Sequence, residues 1–292
     1  MANLIQRRIE AGGLSFAVDE AGEGENVALL LHGFPESRFS WRHQIPLLAD
    51  LGWHVVAPDL RGYGESSRPA GVRNYKLDLL VEDAAALFDA VGARRRLLIG
   101  HDWGAMVAWC FAMEKRLPLD ALVIMNVPHP AVFAQVMRTS WRQRLRSWYV
   151  AFFQIPGLPE ALMTAMGGRA VANAFTGMAV DKSRFPPRVT DVYRRNALIP
   201  GAMTAMINYY RANRDLLGRY TGAAPVIEVP TLMVWGEDDD AIGIEATQGY
   251  EPHVRDLTLE RLPGVSHWVQ QEAPEKVNAI LSGWLTARGL NP

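Results

Sequence analysis

Apolar residues recur along this chain in two rhythms, and the switches between them outline an architecture. Near the N-terminus, residues 5–10 and 14–19 are short runs separated by Gly12-Gly13, which predicts two strands joined by a turn. Residues 26–31 (NVALLL) are almost continuously apolar, as expected of a strand buried on both faces. A helical stretch around residues 41–51 leads to another such run at 54–58 (HVVAP). Between Tyr75 and Val91, the residues Leu79, Leu80, Ala84, Leu87 and Val91 fall at helical spacing, with Gly92 as a stop. A strand at 96–100 (RLLIG), a helix from Trp103 to the region of Arg116 and a strand at 121–126 complete this half. Strands that alternate with helices predict a mostly parallel central sheet flanked by helices, an α/β fold.

Past residue 128 the rhythm changes. Residues 129–218 hold no convincing buried strand and read as helices broken at Pro156-Gly157, Gly167-Gly168 and Pro186-Pro187. Alternation returns at Thr231 with the strand TLMVWG, a helix near 245–250, a strand at 256–262 and an amphipathic helix at 274–287. The expected organisation is a core domain built from residues 1–128 and 219–292, interrupted by a helical cap at 129–218. Arg94-Arg95-Arg96 falls at a helix–strand turn and reads as a solvated edge.

Composition narrows the function classes. With 49% hydrophobic residues, 21% charged and a formal net charge of -1, the chain lacks the basic surface of a nucleic-acid binder. Its single cysteine, Cys110, excludes an intramolecular disulfide and lies in an apolar stretch that suits a buried side chain. The first residues lack the apolar centre of a signal peptide, and no apolar run reaches the roughly 18 to 20 residues that span a bilayer. A cytoplasmic protein without membrane insertion is the expectation, with oligomeric state, a homodimer included, left open.

The sharpest chemical signal is Gly100-His101-Asp102-Trp103-Gly104, set between a strand and a helix. Small residues flanking a central side chain at such a junction make a tight turn that lifts that side chain off the strand's C-terminal end. Asp102 would also suit the N-cap of the following helix. Two further features favour chemistry. His32-Gly33-Phe34-Pro35 also follows a buried strand, so the backbone N–H groups of Phe34 and Trp103 can form an oxyanion hole. Asp239 follows the strand MVWGE, and His267 follows a third strand; nucleophile, acid, histidine is the chain order of a hydrolase triad.

Taken together, HGFP, DLRGYGES at 59–66, GHDWG, WGEDD and GVSHW resemble the α/β-hydrolase fold family along essentially the whole chain. That resemblance implies Asp102 as nucleophile, His267 as general base and Asp239 as the acid that orients it, with Asp238 and Asp240 as the adjacent alternatives. None of the seven histidines belongs to a cluster with metal-ligand spacing, and no metal or organic cofactor is called for.

An aspartate nucleophile restricts the reaction. A carboxylate that displaces at a saturated carbon yields an ester whose carbonyl belongs to the enzyme, and water can cleave it in the same oxyanion hole. The substrate is then an epoxide or a halide. Epoxide opening needs hydroxyl donors that stay protonated at neutral pH, which tyrosine supplies. The segment 149–157 (YVAFFQIPG) resembles the Y-x-x-x-F-Q-x-P-G motif of soluble, microbial-type epoxide hydrolases, and Asn208-Tyr209-Tyr210-Arg211 resembles their N-x-Y-R. These matches imply Tyr149 and Tyr210 as the hydroxyl donors, with Tyr209 as the competing assignment. Haloalkane dehalogenase is the alternative; that family commonly carries Asn where Phe34 stands. A non-catalytic ligand-binding protein on this fold is a further alternative. The implied reactants are a small hydrophobic epoxide and water, and Met and aromatic residues of the cap (Phe152, Phe153, Met163, Met166, Phe175, Met178, Met203, Met206) suggest an apolar pocket.

Overall fold

The computed structural model describes residues 4–219 and 224–292. Residues 1–3 and 220–223, assigned to the core domain from sequence, lie outside the described residues. Eight strands form one sheet: β1 (Ile5–Ala11), β2 (Leu14–Ala21), β3 (Asn26–Leu31), β4 (His54–Pro58), β5 (Arg95–His101), β6 (Ala121–Met125), β7 (Thr231–Gly236) and β8 (Leu257–Leu262). Their spatial order is β1-β2-β4-β3-β5-β6-β7-β8. β2 runs antiparallel to both of its neighbours, whereas the pairs from β4 to β8 are all parallel.

The continuous apolar runs follow from burial on both faces. In β3, Val27, Leu29 and Leu31 enter one core cluster, while the alternate residues Ala28 and Leu30 enter the other. On the first side pack α2 (Leu77–Ala90) and α3 (Trp103–Met113); on the second pack α1 (Gln44–Asp50) and the C-terminal helix Pro274–Ala287. Helix α3 is buried at ten of its eleven residues, Cys110 among them.

Among the described residues between β6 and β7 the elements are mainly helices: α4 (Pro130–Thr139), α5 (Trp141–Arg146), α6 (Trp148–Phe152), α7 (Leu158–Met178), α8 (Pro187–Leu198), α9 (Ala202–Ala212) and α10 (Leu216–Arg219). The sequence breakers act where expected. Gly157 precedes α7 at φ 76°, Ala165–Gly168 interrupt it with non-helical dihedrals, and Pro187 opens α8. One element differs. The helix expected at 245–250 is a single 3₁₀ turn, Ile244–Thr247, because Gly249 leaves helical space at φ 78° and Pro252 follows.

Candidate active site

The sheet reverses its winding direction between β3 and β5, and a crevice at the C-terminal strand ends is the usual ligand site of such sheets. Asp102 stands there. It occupies the residue between β5 and α3 with φ 48° and ψ -120°, a left-handed conformation unusual for a non-glycine residue. Its side chain does not cap α3. The carboxylate turns instead toward the β3 turn, where its Oδ1 accepts the Phe34 N–H at 2.6 Å.

This turn exists only because its flanks are small. A Cβ on Gly104 would overlap the Leu31 carbonyl of β3, and one on Gly33 would overlap the Asp102 side chain. Gly104→Ala is therefore expected to cost about 1–3 kcal/mol through overpacking and to displace Asp102. Thermal denaturation and an activity assay check this; a variant that keeps wild-type stability and rate would contradict it.

His267 follows β8 and is 3% exposed. Its Nδ1 lies 2.7 Å from Asp239 Oδ2, and its Nε2 lies 3.7 Å from Asp102 Oδ2. Asp239 is held from both ends: Oδ1 accepts the N–H groups of Ala241 and Ile242 at 2.7 and 2.9 Å, and Oδ2 also accepts Asn126 Nδ2 at 2.8 Å. The neighbouring acids are occupied differently. Asp238 accepts the Gly264 N–H, and Asp240 lines a cavity wall.

Electrostatics within this group are strongly coupled. Burial works against a charged His267, but the Asp239 and Asp102 carboxylates outweigh it and push its pKa up from 6.5 to about 10. Burial likewise opposes the Asp102 anion, yet His267, His101 and the Phe34 N–H together hold its pKa below the ordinary value. A raised folded-state pKa means that His267 contributes stability fully present below pH 6.5 and lost as pH climbs through about 10. The melting temperature is expected to fall across that window, and His267→Gln is expected to flatten the slope. An equally steep decline in the variant would assign the effect elsewhere.

The tyrosines come from the helical segment. Tyr149 of α6 and Tyr210 of α9 pack edge to face at 5.9 Å, and Tyr210 also meets Trp103 at 5.1 Å and Phe34 at 5.5 Å. Both are pushed upward in pKa, first by burial and then by the Asp102 charge, so both remain hydroxyl donors at neutral pH. Tyr209 points elsewhere: its hydroxyl donates to the Arg61 carbonyl at 2.8 Å.

Two cavities of about 440 and 380 Å³ share Asp102, Trp148, Tyr149 and Tyr210 in their walls. The rest of their lining is largely apolar, including Met106, Phe133 and Leu216 in one and Phe34, Phe153 and Met163 in the other. Of the Met and aromatic residues expected to form a pocket, Phe152, Phe153, Met163 and Met178 line the second cavity. Phe175, Met203 and Met206 are buried core instead, and Met166 is 79% exposed at the α7 kink.

Sequence reasoning missed two supporting residues. Asn126, in left-handed conformation after β6, bridges β7 and Asp239: its Oδ1 accepts the Gly236 N–H at 2.9 Å. Glu36 is fully buried and accepts four donors, from Gly33 N, His101 Nδ1, Gln270 Nε2 and Gln271 Nε2, at 2.7–2.9 Å. Although burial favours its neutral form, His101 and the Gly33 N–H hold its pKa below the ordinary value. The other ring nitrogen of His101 faces the His267 carbonyl at 2.8 Å, so this ring joins Glu36 to the turn that carries His267. No sequence motif flags either residue, because, Gly33 apart, their partners arrive from distant strands and turns.

The alpha/beta hydrolase fold family matches residues 26–274. Epoxide hydrolase 4 of Mus musculus is 37% identical over 284 residues, covering 95% of this chain and 78% of that protein. Epoxide hydrolase A of Mycobacterium tuberculosis is 34% identical over 314 residues, covering 96% of this chain and 97% of that protein. Among solved structures, an epoxide hydrolase of Bacillus megaterium in complex with an inhibitor superposes with a TM-score of 0.89 at 29% identity, covering 96% of this chain and all of that one. The chain belongs to the α/β-hydrolase fold family, and within it to the epoxide hydrolases.

Proposed function

We propose that this chain converts epoxides to vicinal diols through a covalent ester on Asp102. The observation that carries the reading is one shared cavity wall on which a carboxylate nucleophile meets two protonated tyrosines. A haloalkane has no oxygen that needs such donors. Residues 129–218 act as the cap that supplies them, on a core of 1–128 and 219–292.

In the first half-reaction Tyr149 and Tyr210 hydrogen-bond the epoxide oxygen while Asp102 attacks one ring carbon. The C–O bond breaks, and the released oxygen takes a proton from a tyrosine. Esterification removes the Asp102 charge, one of the two that raise the His267 pKa. His267 then yields its proton, which restores the tyrosine, and becomes a neutral base. In the second half-reaction His267 deprotonates a water that attacks the ester carbonyl. The N–H groups of Phe34 and Trp103 receive the oxyanion, and collapse releases the diol. The proton count closes: His267 ends charged and Asp102 anionic, as they began.

The test pairs two small hydrophobic substrates. Styrene oxide should give phenylethanediol, and 1-bromohexane should release no bromide. Bromide release without diol formation would replace this reading with haloalkane dehalogenation.

A further inference from the structure

Helix α5 and the start of α6 are amphipathic the wrong way round. The side facing the protein is polar. Gln143 is fully buried; it donates to Ser147 Oγ at 3.1 Å and to the Ala241 carbonyl at 2.8 Å, and it accepts the Gly243 N–H at 2.8 Å. The side facing solvent is apolar: Trp141, Leu145 and Trp148 are 60%, 63% and 64% exposed. Trp141 and Leu145, four residues apart, share one face of α5, and Trp148 follows it as the first residue of α6.

Charge sharpens the pattern. Arg138, Arg142, Arg144 and Arg146 flank the stripe and are exposed, and the sequence has no Asp or Glu between Asp120 and Glu160. Among the described residues none of these four arginines forms an ion pair. A chain of net charge -1 therefore concentrates four arginines without an ion pair around its exposed tryptophans, Arg142 lying 5.7 Å over the Trp141 ring and Glu245, bonded to Ser140, standing at the edge of the patch. Large apolar side chains left in water forgo transfer free energy unless another phase covers them. Trp and Leu bordered by Arg is the side-chain pattern that settles at a lipid headgroup layer.

The patch also borders the reaction cavities. Trp148 lines both, Arg144 lines the larger and Arg146 the smaller. We propose that this face docks peripherally on an anionic lipid bilayer, with the apolar stripe among the headgroups and the arginines on lipid phosphates. The arginines disfavour a second copy as occupant, since a two-fold contact would set like charges against each other. The contact is superficial: among the described residues no helix is long and apolar enough to cross a membrane.

The experiment is co-sedimentation of the full chain with vesicles of phosphatidylcholine alone, or of phosphatidylcholine and phosphatidylglycerol in equal parts, at low and high salt. Two double variants avoid the cavity walls: Arg138→Glu with Arg142→Glu, and Trp141→Ser with Leu145→Ser. Both are checked for unchanged melting temperature. Wild type should sediment with the anionic vesicles at low salt and be released by high salt. The arginine variant should lose roughly 25-fold or more in partitioning, at about fivefold per surface cation. The Trp141/Leu145 variant should lose binding comparably. Failure of wild type to bind either vesicle, or variants that bind like wild type, would overturn the proposal. A solution dimer that the Trp141/Leu145 variant abolishes would assign the face to a second copy and overturn it equally. The sedimentation readout needs no turnover, so it is independent of the epoxide reading.

Discussion

His267→Gln is expected to turn over once and stop. On the proposed mechanism alkylation needs only the Asp102 carboxylate and the tyrosine hydroxyls, none of which the substitution removes. Hydrolysis needs a base beside the ester, and glutamine supplies none. Loss of a general base corresponds to a factor on the order of 10²–10⁴, so the ester should accumulate to nearly one equivalent per enzyme. Intact-mass spectrometry after mixing with styrene oxide reads this as the protein mass plus that of the epoxide. The pKa relation adds a condition: with the His267 charge gone, Asp102 loses the largest of the influences that oppose burial. The rate of ester formation should then decline with falling pH at a higher midpoint than in wild type. Normal steady-state turnover by this variant would remove His267 from the mechanism.

Substituting both tyrosines should block the earlier step. Removing one oxyanion-type donor costs about 10²–10³ in rate, and Tyr210→Phe alone is expected to slow ester formation by roughly 10²-fold. Tyr149→Phe with Tyr210→Phe leaves the opening epoxide oxygen without a hydroxyl donor and should slow it further, though by less than the product of the single effects. The packing of both rings is retained in phenylalanine, so melting temperature should move little. Pre-steady-state tryptophan fluorescence separates ester formation from its hydrolysis. A double variant that forms ester at the wild-type rate would exclude the tyrosines, whereas Tyr209→Phe should act only through loss of its bond to the Arg61 carbonyl.

The fold was legible because its parallel strands are buried on both faces, so that NVALLL and TLMVWG stand out as continuous apolar runs. The position of Asp102 was legible because it follows such a strand within a glycine-flanked turn, and that of His267 because it follows the last strand, the half-exposed β8, through a turn bearing Gly264. Tyr149 and Tyr210 were visible only through family motifs, since nothing in helical periodicity separates Tyr210, facing the cavity, from Tyr209, facing Arg61. Asn126 was invisible because Gly236 and Asp239 lie far away in sequence, and Glu36 because three of its four donors, from His101, Gln270 and Gln271, do. The outward face of α5 is not legible from periodicity, which marks an apolar stripe as inward-facing, whereas Trp141, Leu145 and Trp148 are exposed.

Covalent catalysis by Asp102 is the central claim, and the origin of the diol oxygen tests it most directly. A single turnover of styrene oxide in H₂¹⁸O with excess enzyme should yield diol free of the label. The label should appear instead in the peptide that contains Asp102, because water attacks the ester carbonyl. Labelled diol with unlabelled Asp102 would mean direct attack by water on the epoxide and would contradict the account.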